Sequence, residues 1–347
     1  MKKLIILLAL VIPATMLRAQ DDKGRTPFLT KNLSKENIKN VDVQTSGGSI
    51  NVSGGTAAES RIEVYVWPNN DGKAMPSKEE IQKRINEDYD LNISVDGGKL
   101  TAYAKPKDRN MNWKKSLSIS FKIYVTENAS THLRTSGGSI GIKNLAGTQD
   151  FATSGGSLDI QKVSGQINGR TSGGSITVSD SKDNIDIETS GGSIHAENCT
   201  GTITMNTSGG SLTLKQLQGN IKATTSGGSI NGGEIRGDLE AHTSGGNVDL
   251  NALYCGLETS TSGGNIDVEI KELGKQVKIT NSGGNIDLSM PKNKGVNLRL
   301  RGDKIKVESL ENFSGRKDDD EIDGTLNGGG IPVTVKAGSG RIRLDMK

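Results

Sequence analysis

The tetrapeptide Thr-Ser-Gly-Gly returns through residues 135–288 at a fixed step. Its serine falls at Ser136, Ser154, Ser172, Ser190, Ser208, Ser226, Ser244 and Ser262, each 18 residues after the last. A ninth copy follows at Ser282 after a step of 20, with Asn281 in place of Thr. A period in this range marks a chain built by stacking one small unit on the next. Seven equal intervals in a row exclude composition bias as the source.

One unit shows why it must stack. In Thr171–Glu188, TSGGSITVSDSKDNIDIE, Ile176 and Val178 alternate with Ser175, Thr177 and Ser179, a period of two that predicts a strand with one buried face. Residues 180–184 carry turn chemistry, and Ile185 and Ile187 alternate again, with Thr189 continuing that face. So few apolar residues make no core alone, and the unit can bury them only against its neighbours. The columns agree from copy to copy: Ile140, Leu158, Ile176, Ile194 and Leu212 four places past the marker serine, then Leu145, Val163, Ser181, Cys199 and Leu217 nine past, then Ile167, Ile185, Ile203 and Ile221 thirteen past. Stacked about 4.8 Å apart, they become apolar ladders inside a tube. The glycine pair marks a corner where a positive φ or close backbone stacking excludes a Cβ. A helix is excluded, since each glycine would cost it about 1 kcal/mol. The expectation is an all-β chain, a β-solenoid (β-helix) of about 18 residues per coil.

Composition agrees where it bears on this. Aromatics are 3%, which suits a narrow tube filled with aliphatic side chains, and seven prolines leave long ladders possible. Removing Lys2, Lys3 and Arg18 of the leader from the 43 basic residues leaves 40 against 40 acidic, so net charge gives no case for nucleic acid or an anionic membrane.

In chain order, residues 1–19 (Lys2-Lys3, an apolar run Leu4 to Ile12, then Leu17-Arg18-Ala19) read as a secretory signal peptide cleaved after Ala19. Nine apolar residues are too few to span a membrane. The start and the Ala-Gln junction point to a Gram-negative bacterium. Residues 20–40 are expected to be a flexible leader. Residues 41–134 hold a first repeat unit at Ser46 and a β-rich elaboration with one short helix at 77–89, where Ser77 and Glu80 form a capping box and Ile81, Ile85 and Tyr89 a stripe. Residues 135–290 are the regular solenoid. Residues 291–347 are an irregular C-terminal cap, with 314–324 (SGRKDDDEIDG) a solvated loop and Ala337–Gly340 a worn copy of the repeat.

The TSGGSI and TSGGNIDV units, the interrupted first unit, the MPKNKGVNLRLRGDKIKV segment and the closing GGGIPVTVKAGSGRIRL resemble the bacterial putative-adhesin family of β-strand-repeat proteins. The resemblance covers roughly residues 40–347. It implies the repeat architecture and an exported protein of the kind common in Bacteroidota, catalogued as a domain of unknown function. It carries no catalytic residues onto this chain.

Candidate chemistry is sparse. Cys199 and Cys255 sit three rungs apart, beyond disulfide reach, and read as free buried thiols. His132, His195 and His242 occupy different repeat positions and cannot meet at one metal. Asp249, Asp267 and Asp287, flanked by Asn247, Asn265 and Asn285, form the one acidic column. Carboxylates near 5 Å apart repel and could hold Ca²⁺ or, at that spacing, resemble a retaining glycosidase pair, yet no acid/base asymmetry is visible. The other reading is an ordinary solvated face. No residue is therefore assigned as catalytic, cofactor-binding or metal-ligating, and no cofactor is expected. Seven of the eleven aromatics (Tyr65, Trp67, Tyr89, Tyr103, Trp113, Phe121 and Tyr124) fall within 60 residues. Tyr65, Trp67, Tyr103 and Tyr124 form either a carbohydrate- or partner-binding surface or a face packed under the helix stripe.

The sequence thus points to a non-enzymatic exported β-solenoid, at the cell surface or in the periplasm, acting as an adhesion or binding module for an extracellular or envelope protein or glycan. The alternative is a periplasmic structural or accessory protein that binds other envelope proteins. A polysaccharide-active β-helix enzyme ranks third; it would lose glycan cleavage on Asp267→Ala. The sequence leaves coil handedness, oligomeric state and ligand open.

Overall fold

The computed structural model describes residues 26–69, 76–108 and 116–347. The signal peptide and Trp113 with most of its basic loop lie outside these. Each regular unit runs as a four-residue strand, a corner, an eight-residue strand and the Ser-Gly-Gly corner. Successive examples are Ile176–Ser179 with Lys182–Thr189, Ile194–Glu197 with Thr200–Thr207, and Leu212–Lys215 with Gln218–Thr225. Equivalent strands pair in parallel at a register of one repeat: Ile176 with Ile194 with Leu212, and Ile185 with Ile203 with Ile221. Two long ladders result, a short-strand face and a long-strand face. Between them lies one apolar cluster reaching from Leu33 to Leu344. The fold is a β-solenoid, as the period requires.

The sequence columns point inward. Ile140, Leu158, Ile176, Leu145, Val163, Ile167 and Ile203 are each no more than 2% exposed. A further inward column, fifteen places past the marker, mixes sizes: Phe151, Gly169, Ile187, Met205, Ala223. Here volume is shared between rungs, for a Cβ on Gly169 would lie 2.6 Å from the Phe151 ring.

The spatial order of rungs is not the sequence order. Asn40–Thr45 pairs with Ser130–Thr135 on one side and with Lys99–Pro106 on the other, and Ile50–Gly55 lies likewise between Ile140–Thr153 and Leu117–Thr126. The unit at Ser46 therefore sits directly on the unit at Ser136, and the chain between them folds back beyond it. The C-terminus repeats the device. Ile331–Ala337 inserts between the end of Ile266–Asn281 and Val296–Arg301, and Arg341–Met346 between Ile286–Met290 and Lys304–Val307. The worn repeat at 337–340 stacks on 281–284: the Gly338 N–H donates to the Asn281 carbonyl at 2.8 Å, and that of Ser339 to Ser282 at 3.1 Å.

Antiparallel strands and the helix close the stack. Ser77 caps Lys78–Asp88, its hydroxyl accepting from the Glu80 N–H at 3.2 Å. Two expectations change. Residues 26–40 are not a flexible leader: Leu29–Asn32 pairs antiparallel with Arg61–Val64, and Leu33 and Ile38 are 1% and 3% exposed. Widely spaced apolar residues in a polar stretch anchor it without any periodic signal. Residues 314–324 are not a loop either. Phe313–Lys317 and Glu321–Leu326 form a hairpin, held because Ile322 and Leu326 are buried while Asp323 and Glu321 pair with Arg299 and Arg301.

Candidate binding surface

The polar atoms of the repeat motif are used inside the stack. In each unit from Ser136 to Ser262 the threonine before the marker is nearly buried and donates to the second glycine's carbonyl one rung back, as Thr189 does to Gly174 at 2.8 Å. The same hydroxyl accepts from its own unit's second glycine, Gly192, at 3.3 Å. Asn281 reproduces both contacts, to Gly264 at 2.8 Å and from Gly284 at 3.1 Å, which explains how one unit dispenses with Thr. The second glycine is required by close stacking rather than by positive φ: a Cβ on Gly192 would lie 2.0 Å from the Gly174 oxygen. The first glycine is under no such constraint, since a Cβ on Gly191 meets nothing nearer than 3.5 Å.

A third corner position also forms a ladder. The backbone N–H of Ser193 donates to the Ser175 hydroxyl, that of Ser211 to Ser193, and that of Asn265 to the Asn247 side-chain oxygen at 2.8 Å. Asn247, Asn265 and Asn285 thus serve the corner, each oxygen accepting from the next rung.

The acidic column is real. Asp249 stands in register with Asp267, and Asp267 with Asp287. Burial, then the carboxylates of Asp249 and Asp287, push the Asp267 carboxyl above its ordinary range. One Asp287 oxygen, Oδ1, is buried without a hydrogen-bond partner. Among the described residues no three His, Cys, Asp or Glu side chains are grouped so as to hold a metal ion.

The histidines stay apart, each beside its own acid: His132 near Asp150 at 3.0 Å, His195 near Glu197 at 3.3 Å, His242 near Glu240 at 3.2 Å. Cys199 and Cys255 are free and buried. Burial raises the Cys199 thiol and pushes that of Cys255 up to about 12, so neither is a nucleophile at neutral pH.

The four outward aromatics do not make one surface. Tyr65, Trp67 and Tyr124 lie on Arg61–Pro68 and Leu117–Thr126 of the short-strand face, whereas Tyr103 lies on Lys99–Pro106 of the long-strand face. Arg61 stacks on Tyr124 at 3.7 Å and Lys122 lies over Tyr65 at 5.5 Å. The helix stripe joins the aliphatic cluster instead, with the Tyr89 hydroxyl accepting from the Leu117 N–H at 2.6 Å.

Charges on the long-strand face pair from rung to rung: Arg134–Asp150 at 2.7 Å, Lys222–Glu240 at 2.7 Å, Lys278–Glu258 at 2.8 Å. Burial raises the Asp150 carboxyl, but Arg134 and then His132 outweigh it and hold the group low. On the short-strand face the last rungs differ. Lys304, Lys306, Arg341 and Arg343 stand together there, a cluster the sequence analysis passed over although Lys-Ile-Lys and Arg-Ile-Arg alternate plainly.

Residues 106–345, more than half of the chain, match the family model described as Toastrack DUF4097. The chain belongs to that family. The Toastrack match starts after Asn40–Gly55, yet the structure places Ile50–Gly55 inside the stack, between Leu117–Thr126 and Ile140–Thr153, both of which the match includes. No curated protein matches the chain. Among solved structures it is similar to a "putative cell adhesion protein" of Clostridium sporogenes ATCC 15579, with 11% identity, TM-score 0.21, and coverage of 92% of this chain and 98% of that one. It is also similar to a "putative adhesin" of Bacteroides fragilis NCTC 9343, with 10% identity, TM-score 0.22, and coverage of 91% and 96%. No helix among the described residues is long and apolar enough to cross a membrane.

Proposed function

We propose that this Toastrack protein is an exported binding module of the bacterial envelope, with adhesion as its role and no chemistry of its own. One observation supports this above the rest. The hydroxyls, amide oxygens and thiols of the repeat are taken up inside the stack, hydroxyls on glycine carbonyls, amide oxygens on backbone N–H groups and thiols in the core, while the carboxylates of Asp249, Asp267 and Asp287 stand in a column without an acid/base division of labour. What remains outward is a repeated display of short polar and charged side chains at ladder spacing, about 4.8 Å, on a stiff tube. Such a surface suits many weak contacts to an extended partner better than capture of a small molecule. Protease shaving of intact cells, followed by blotting for the mature chain, tests it. Loss of the protein on intact cells is the expected result. Protection until the outer membrane is opened would overturn adhesion and favour a periplasmic protein that binds other envelope proteins.

A further inference from the structure

Lys304–Val307 is the last strand of the short-strand face and pairs in parallel with Arg341–Met346. Lys304 lies in register with Arg341, and Lys306 with Arg343, while Ile342 and Leu344 between them point into the core. All four cations are exposed. They form a two-by-two grid with sides of about 4.8 Å across the ladder and about 6.6 Å along the strand.

Like charges directly opposite one another in a sheet destabilise it. On the long-strand face facing charges are of opposite sign and in contact, as in Lys222–Glu240 and Lys278–Glu258. Here they are not. Arg343 reaches Glu308 only at 3.9 Å, and Lys304, Lys306 and Arg341 have no ion pair among the described residues. Of the nearby acids, Asp303 accepts from the Gly340 N–H, Asp287 stands in register with Arg343 at the head of the acidic column, and the acidic turn 318–320 lies along the outer edge, where the Asp319 carbonyl accepts from the Ile305 N–H at 2.7 Å.

We propose that this grid is a docking site for an acidic polysaccharide laid across the tube, along the strand direction. The inference deepens the binding-module reading and rests on it. The Asp249, Asp267 and Asp287 column bounds the grid on one side, so a flat anionic membrane, or a polyanion running along the tube axis, would meet repulsion. The turn of Asp318, Asp319 and Asp320 bounds it on the other, and a chain crossing the tube between the two meets the four cations before it reaches Glu308 and Asp345 at the far end of the strands. Two arginines present planar forks that suit sulfate or carboxylate. The grid itself carries no aromatic ring on which a nucleobase could stack, which disfavours single-stranded nucleic acid.

The test is binding of dextran sulfate to the purified mature chain by titration calorimetry, with uncharged dextran, oligothymidylate and phosphatidylglycerol vesicles as comparisons. Dextran sulfate binds and uncharged dextran does not, and the affinity falls as salt rises. Lys304→Ser with Lys306→Ser weakens binding about tenfold, because two of four contacting cations are gone. Lys222→Ser with Lys278→Ser removes the same net charge from the other face and leaves binding unchanged. Arg343→Gln gives a second reading if the double variant misfolds. The proposal fails if dextran sulfate does not bind, if both double variants weaken it alike, or if oligothymidylate or vesicles bind more tightly through the same residues. Protease shaving reports on location alone, so a failure of the adhesion reading is separable from a failure of the grid.

Discussion

The Thr207 hydroxyl donates to the Gly192 carbonyl at 2.8 Å and accepts from the Gly210 N–H at 3.3 Å. One nearly buried side chain thus serves two backbone groups in successive rungs. Thr207→Val keeps the shape and removes both contacts, leaving a donor and an acceptor unpaired at a tight corner. The expected loss is about 2 kcal/mol, read as a lower denaturant midpoint. Thr207→Ser keeps the hydroxyl and loses less.

The two glycines of one corner are not equivalent. A Cβ on Gly192 would lie 2.0 Å from a backbone oxygen, whereas one on Gly191 has ordinary contacts from 3.5 Å outward. Gly192→Ala must therefore push rungs apart, at about 3 kcal/mol. Gly191→Ala is expected to leave the melting temperature within a degree or two of wild type, an effect of about 0.5 kcal/mol or less. Equal effects at the two positions would contradict the stacking account.

The corner eight places past the marker is left-handed in each of the seven units from Ser136 to Ser244. Asn144, Asp180 and Asn198 suit that conformation, with φ of 53°, 51° and 53°, but Ala252 occupies it at φ 49°. An alanine there is strained, and it has no side-chain polar group to compensate. Ala252→Gly should raise stability by about 1 kcal/mol. Thermal melts of the purified chain decide it; a lower melting point would show that the alanine methyl contributes packing that exceeds the strain.

The Asp267 carboxyl is raised by burial and by Asp249 and Asp287. A raised folded-state value means that the charged form is disfavoured in the fold. Its contribution to stability is therefore greatest at acid pH and declines as pH rises through the folded value. Asp267→Asn removes that loss. The variant should exceed wild type by a few tenths of a kcal/mol at pH 7, with the difference closing as pH falls through the acid range. Denaturant midpoints at both pH values test the sign.

What the sequence disclosed was whatever repeats locally. Period-two alternation placed Ile176, Val178, Ile185 and Ile187 inside, and the 18-residue step aligned their columns. The roles of Thr189 and Gly192 were hidden because they depend on a partner one rung away, which composition does not reveal. A second glycine column, Gly147, Gly165, Gly201, Gly219 and Gly237, all at positive φ, was present at the same period and went unread. The rung order was out of reach for another reason. Ser46 and Ser136 are neighbours across a long excursion, and nothing local encodes that Thr135 should donate to Gly48 at 2.8 Å. The two halves of the basic grid, Lys-Ile-Lys and Arg-Ile-Arg, are plain in the sequence, but their meeting is not, since Lys304 and Arg341 come together only through the inserted strand.

The other inserted strand, Ile331–Ala337, carries a last expectation. Strands with a neighbour on one side only open and exchange their amide protons early. Here Ile331–Ala337 is flanked on both sides, with Val333 opposite Val277 and Leu298, and Val335 opposite Ile279 and Leu300. Both valines are no more than 1% exposed. Lys304–Val307 and Phe313–Lys317, which come earlier in the chain, each have one strand neighbour and stand at the sheet edges. Hydrogen exchange read by mass spectrometry should therefore find Val333–Ala337 protected like the central rungs, with 304–307 and 313–317 exchanging first. Early exchange at Val333–Ala337 would mean that the last rung opens as a unit, and that the out-of-order insertion does not secure this end of the tube.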